Sequence, residues 1–226
     1  MPLREYETDS LETSNGDLEI TFLGHGSLLF AYGGKWIYVD PFGRVADYST
    51  LPKADVVLIT HEHHDHLDPE ALEQIRTDAT DIVCTELCEG RIEGGTVMRN
   101  GDVAEIQGLH VEAIPAYNLV HQRESGDPFH PQGDGNGYVV TFGDLRVLVA
   151  GDTENTPELK ARSDIDVAFL PMNLPYTMSP EMVADVAIAM KPRILYPYHF
   201  GSTDTGRLVE LLKDRPEIEV RIRSLA

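Results

Sequence analysis

Residues Ile59 to Asp68 read ITHEHHDHLD and continue the apolar run VVLI that begins at Val56. An apolar run without polar alternation is the pattern of a strand buried on both faces. Four histidines, two aspartates and a glutamate therefore crowd the mouth of a buried strand. If the backbone stays extended beyond the strand, His61 and His63 point the same way, because side chains repeat every second residue. Together they can bind one cation. A turn at His64 aims Asp65 and His66 at a second. Imidazole with carboxylate suits zinc, iron or manganese better than calcium or magnesium.

Two more buried strands end in the same manner. RVLVAG leads to Asp152, and RILYPY leads to His199. Ligand sites in α/β sheets gather at the C-terminal ends of strands, where loops converge. Two cations ~3.5–4 Å apart can share one carboxylate. Asp152 is the natural shared carboxylate, and His199 completes the second site. A chance histidine tract would not be matched by ligands at two other strand ends.

Around these motifs the first half is strand-rich. LEITFLG, SLLFAYG and KWIYVDP are separated by glycines and read as antiparallel hairpins. DPEALEQIR opens with a capping Asp68 and with Pro69 at the first helical position, which predicts a helix. Further strands are expected near 82–84, 96–98 and 110–114, and then at YVVTF, LRVLVAG, DVAFLPM and RILYPYH. Helices are expected at about 180–190 and 204–214. A long polar loop runs from Tyr117 to Asn136, and loops of that length in compact domains are usually functional or disordered. Residues 1–17 read as a loose lead-in, and 18–226 as a single domain.

The 226 residues, 42% hydrophobic, allow a substantial core. No apolar run approaches the ~20 residues needed to cross a bilayer. The polar N-terminus lacks the basic-then-apolar order of a signal peptide. The cytoplasm is the expected location, and Cys84 and Cys88 are expected to be reduced and partly buried. Thirty-eight Asp and Glu face 18 Lys and Arg, a formal charge of −20. Such a surface repels nucleic acid and anionic membrane. It suits either a salt-loving source or an ordinary acidic bacterial protein. A small-molecule substrate is expected, and a homo-oligomer is left open.

THEHHDHLD, AGDT and YHFG resemble, in order and spacing, the signature motifs of the metallo-β-lactamase superfamily. The resemblance runs from about Leu18 to the end of the chain. The opening LEITFLGHGSLLFAYGGKWIYVDP resembles in particular the branch of the ascorbate-6-phosphate lactonases and the N-acyl phosphatidylethanolamine phospholipases. It implies an α/β fold, a four-layer αββα sandwich with metals at one sheet edge. One departure concerns the third motif, which supplies a further histidine, often in a Pro-Ala-x-His context. Here the text is IPAYN, with Asn118 in that place. His121 and His130 both lie in the loop that follows. His130, clamped between Phe129 and Pro131, is the better pre-positioned candidate.

The ligand set expected is therefore His61, His63 and His130 for one ion, and Asp65, His66 and His199 for the other, with Asp152 between them. Two divalent ions are expected, zinc first and manganese or iron as alternatives. His25, in GHGS, is a candidate to hydrogen-bond substrate or a developing oxyanion. Asp40, in YVDP, is placed to orient a ligand histidine. Tyr117, Asn118 and Tyr176 are candidate substrate contacts. Tyr196 and Tyr198 read as packing. Ser27, Ser202 and Thr203 have no partners that suggest a serine triad.

The function expected is hydrolysis of a small ester, lactone or phosphodiester by a metal-bridging hydroxide. Asp65 would act as ligand and proton acceptor. One alternative is a di-iron oxidoreductase of the same fold. Such members tend to carry a glutamate within the signature and an added flavin domain, whereas here His64 stands at the fourth position and no flavin domain is present. A non-catalytic metal-binding module is the other alternative.

Overall fold

The computed structural model describes residues 5–225. Its first sheet contains β1 (Glu7–Thr13), β2 (Gly16–Gly24), β3 (Ser27–Tyr32), β4 (Lys35–Val39), β5 (Val56–Leu58), β6 (Asp81–Cys84) and β7 (Thr96–Val97), in that spatial order. Helix α1 (Pro69–Ile75) lies between β5 and β6 in the chain. The second sheet contains β8 (Val103–Ile106), β9 (Leu109–Ala116), β10 (Gly135–Phe142), β11 (Leu145–Val149), β12 (Val167–Pro171), β13 (Ile194–Tyr198) and β14 (Glu219–Val220). Helices α2 (Pro157–Lys160), α3 (Pro180–Met190) and α4 (Thr205–Leu212) join its later strands. Each sheet starts as an antiparallel meander and finishes as parallel strands.

Alternation along the strands builds the layers. Leu18, Ile20 and Phe22 of β2 face Tyr138, Val140 and Phe142 of β10 within one core between the sheets. The outer face of the first sheet is covered by α1, through Ala71, Leu72 and Ile75. The outer face of the second is covered by α3 and α4, through Val183, Val186, Ala187, Leu208 and Leu212. The result is the expected four-layer αββα sandwich. In β5, Val56 and Leu58 belong to the inner core and Val57 to the outer one, so the strand is buried on both faces as its composition demanded.

The helices begin where capping chemistry predicts. Asp68 accepts from Glu70 N–H and Ala71 N–H ahead of α1, and Ser179 accepts from Met182 N–H ahead of α3. The lead-in is a correction. Within residues 1–17, β1 pairs along its whole length with β2, from Glu7 opposite Phe22 to Thr13 opposite Gly16. It escaped notice because it is an edge strand that buries Leu11 alone among apolar residues while Glu7 and Glu12 face solvent. Residues 1–4 lie outside the described residues. Among the described residues no helix is long and apolar enough to cross a membrane.

In the parallel halves, β4, β5, β11 and β13 deliver their C-terminal ends to one edge of the sandwich. That edge carries Asp40, the 59–68 segment, Asp152 and His199.

Candidate metal centre

Asp40 follows β4 directly and is fully buried. Its Oδ1 accepts the Thr60 N–H at 2.7 Å, and its Oδ2 accepts the Thr60 hydroxyl at 2.6 Å. With its proton given to Asp40, the Thr60 oxygen accepts the Nδ1 proton of His61 at 2.9 Å. Asp40 Oδ2 also accepts from His66 Nδ1 at 2.8 Å. One carboxylate thus orients two histidines with their Nε2 atoms turned into the site, as the sequence led us to expect for one of them.

His61 Nε2 and His63 Nδ1 stand 3.1 Å apart. Two bare lone pairs repel at that distance, so a proton or a cation belongs between or beside them. His130 joins this pair, and the donor atoms of the three lie within 4.8 Å of one another. A second set within the same limit is His25, Asp65, His66 and His199, and a third is His61, His66 and Asp152. Asp152 links the sets: His66 Nε2 and His199 Nδ1 each lie 3.6 Å from its Oδ1, and His130 Nε2 lies 3.3 Å from its Oδ2.

The donor chemistry fits divalent cations. His66 Nε2, Asp152 Oδ1 and both ring nitrogens of His199 are buried without a hydrogen-bond partner among the described residues. Buried polar atoms are rarely left so. His66 Nε2, Asp152 Oδ1 and one of the two His199 nitrogens can offer lone pairs, and these converge on common points. Burial, and after it the neighbouring His66 charge, holds His61 well below the usual imidazole range. Burial also lowers His63 and His199, which leaves their lone pairs available. Burial would lower His66 too, but Asp152 and Asp40 outweigh it and push its value up to about 9. That rise records a negative pocket around His66 that calls for positive charge. Burial alone would raise Asp65 and Asp152, yet His199 and its neighbours hold both carboxyls far below their ordinary value.

Burial and contacts distinguish the two loop histidines. His130 is 6% exposed. Its backbone N–H and its Nδ1 both donate to Asn118 Oδ1, at 2.8 and 2.7 Å. His121 instead donates through Nδ1 to Glu154 Oε1 at 2.6 Å and belongs to none of the donor sets. Asn118, at the place of the third-motif histidine, is thus a hydrogen-bond partner of His130.

Two expected substrate contacts are corrected. Asn118 is buried, with Oδ1 taken by His130 and Nδ2 donating to Glu154 Oε1 and Tyr176 O. Tyr117 is buried and its hydroxyl donates to Glu158 Oε2 at 3.0 Å. Neither lines the cleft over the centre, because Glu158 holds the Tyr117 hydroxyl and Glu154 and His130 hold the Asn118 amide. Tyr176 does line it, with His63, Asp65, His130, Asp152 and His199, around about 390 Å³. Tyr196 and Tyr198 pack between the sheets as read, and Cys84 and Cys88 are free and buried.

His25 sits closer to the ligands than its sequence reading required. Its Nε2 lies 3.1 Å from Asp65 Oδ2, and its ring lies 3.9 Å from that of His199. A break in β2–β3 register after Phe22 turns the chain into GHGS. Gly26 lets that turn lie against the site, since a Cβ there would come within 3.1 Å of His66 Cε1. His25, Asp40 and His199 all adopt left-handed backbone, with φ of 53°, 44° and 47°.

Glu154 is the residue the sequence reading missed. It is fully buried and accepts from Asn118 Nδ2, from the backbone N–H groups of Leu119, Val120 and His121, and from His121 Nδ1. It pins the start of the loop whose Asn118 aims His130. Its place two residues after Asp152 was the available signal.

A family model described as a beta-lactamase superfamily domain matches residues 19–199. A UPF0173 metal-dependent hydrolase of Koribacter versatilis is 32% identical over 213 residues, 87% of this chain and 91% of its own. One of Thermococcus onnurineus is 27% identical over 218 residues, 89% of this chain and 95% of its own. A crystal structure from Parabacteroides distasonis, described as a metal-dependent hydrolase, is 47% identical, with a TM-score of 0.93 over 98% of this chain and 100% of that one. With histidines and aspartates from both sheets meeting at one edge, the chain belongs to the metallo-β-lactamase superfamily and, within it, to the UPF0173 metal-dependent hydrolases.

Proposed function

We propose that the protein hydrolyses a small ester, lactone or phosphodiester at a two-cation centre, with zinc the first choice of ion. The observation that carries this reading is the convergence of buried nitrogen and oxygen atoms of His66, Asp152 and His199, without hydrogen-bond partners among the described residues, beside a cleft that Asp152 and His199 line. His61, His63 and His130 would hold one ion, and Asp65, His66 and His199 the other, with Asp152 between. Divalent ions so held supply a nucleophile of hydroxide strength at neutral pH and a Lewis acid for the acceptor oxygen.

The protein's own groups do the rest. Asp65, kept ionised by His199 and His25, would serve as a ligand and as the acceptor of the proton that the attacking water gives up. His25, hydrogen-bonded to Asp65 Oδ2, would steady that carboxylate. Asp40 and Asn118 hold the histidine rings in the tautomers that present Nε2 to the centre. The cleft volume suits a small molecule, and the acidic surface disfavours nucleic acid. Two buried free thiols are in keeping with work in the reducing cytoplasm. The likeness of the opening segment to the ascorbate-6-phosphate lactonase branch supports including a lactone among the first substrates tried.

The test is turnover of nitrophenyl esters, simple lactones and bis(4-nitrophenyl) phosphate by zinc-loaded protein. Asp65→Asn and His66→Ala should each abolish it while the circular dichroism spectrum stays native. Full activity in either variant would sink the assignment.

A further inference from the structure

The cleft over the metal centre carries an arginine that its neighbours do not neutralise. Arg123 lines it together with Phe129, Tyr176 and the candidate ligands. Among the described residues, many arginines of this acidic chain hold carboxylates, as Arg76, Arg99, Arg146, Arg162, Arg207 and Arg221 do, and a few, Arg44 among them, do not. Arg123 holds none among the described residues. Its one side-chain hydrogen bond goes to Phe129 O at 3.1 Å, and its guanidinium lies 5.2 Å from the Phe129 ring centre. Phe129 packs edge-on to Tyr176 at 5.1 Å.

The guanidinium is thus steadied by an aromatic face and a carbonyl, and its remaining N–H groups have no acceptor among the described residues. Cation–π contact keeps a guanidinium in place without spending its donors. A planar fork of N–H groups matches an oxyanion. With a formal charge of −20, the chain repels anionic ligands over most of its surface. A local positive wall is what an anionic substrate would need to enter.

We propose that Arg123 binds an oxyanion, a carboxylate or a phosphate, that the substrate carries away from the bond being cut. This rests on the hydrolase reading and narrows its substrate class to small anionic molecules. Arg44 provides a matched control. It stacks on Phe42 at 5.9 Å and lines a neighbouring cleft that shares His64 with the first. Removing either arginine removes the same charge from the same side of the molecule.

The experiment uses zinc-loaded wild type, Arg123→Gln, Arg123→Lys and Arg44→Gln. Two esters, 4-nitrophenyl acetate and 4-nitrophenyl hemisuccinate, are compared, each corrected for spontaneous hydrolysis. Wild type should prefer the hemisuccinate in kcat/KM by roughly 10- to 100-fold, the range of a charge-assisted hydrogen bond. The ratio should fall toward one in Arg123→Gln through KM, recover partly in Arg123→Lys, and persist in Arg44→Gln. No preference in wild type, or a ratio that survives Arg123→Gln, would overturn the proposal. So would equal loss in Arg44→Gln. Calorimetric titration with glutarate gives a second readout, since the cations contribute equally to all four proteins. Binding should weaken by roughly 10- to 100-fold in Arg123→Gln alone; unchanged binding overturns the proposal. If neither these esters nor the lactones and bis(4-nitrophenyl) phosphate are turned over, the hydrolase reading fails, while the glutarate titration still decides the role of Arg123.

Discussion

His66 gives its Nδ1 proton to Asp40 Oδ2 at 2.8 Å, and both side chains are completely shut off from solvent. The same carboxylate reaches His61 through the Thr60 hydroxyl. Asp40→Asn keeps the shape but removes the charge, and its amide cannot accept from both Thr60 and His66 as the carboxylate does. Metal affinity should fall about 10- to 100-fold, the usual effect of disturbing a ligand's outer partner. Metal content after dialysis against a graded chelator series measures this; retention equal to wild type would refute it.

Removing the ions should destabilise the fold. The candidate ligands come from both sheets, and without cations the carboxylates and lone pairs of the centre would face one another uncompensated. At a metal concentration ~100 times Kd the ions contribute about 2.7 kcal/mol. For a chain of this size that corresponds to roughly 5–10 °C in Tm. A chelator should lower Tm by that amount and zinc should restore it, as read by differential scanning fluorimetry.

Glu154 and Asn118 form a relay from the floor of the second sheet to His130. Glu154→Gln leaves the backbone N–H groups of residues 119–121 competing for one oxygen in place of two. The expected cost is about 1–3 kcal/mol, with opening of the loop that follows. Limited trypsin digestion should then cut at Arg123 faster than in wild type. Asn118→Ala should leave the fold intact and reduce kcat about tenfold, since His130 loses the acceptor that sets its tautomer.

A different carboxylate governs acid stability. Burial would raise Asp9, but hydrogen bonds from Tyr196 and Arg223 and the charges of Arg223 and Arg221 outweigh it and lower its pKa. A depressed carboxyl stabilises the fold fully above its unfolded value, ~3.9. That contribution is lost as pH falls through the folded value. Asp9→Asn should therefore cost about 1–3 kcal/mol at neutral pH. Below about pH 4 the gap between variant and wild type should close. Urea denaturation at pH 7 and pH 3 checks the sign.

Much of this centre was readable in one dimension because its geometry is local. His61 and His63 share a direction through strand periodicity, and Asp152 and His199 lie where apolar runs stop. Asp68 and Ser179 announce their helices. β1 was hidden because ETDSLET buries one leucine, and an edge strand needs no alternation to pair. Glu154 was hidden because its partners lie 33–36 residues earlier and meet it only once β9 and β11 have folded. Asn118 looked like a broken ligand position, and its partnership with His130, 12 residues on, is a loop conformation that no local pattern encodes.

The left-handed backbone at His25, Asp40 and His199 has a consequence for engineering. An L-residue with a Cβ bears roughly 1–2 kcal/mol in that region, a penalty glycine escapes. His25→Gly should accordingly melt higher than His25→Ala, although both lack the imidazole, and calorimetry of the pair would isolate the backbone share. Three such torsions in one small neighbourhood mark where thermostabilising substitutions will be tempting and where they will erode catalysis.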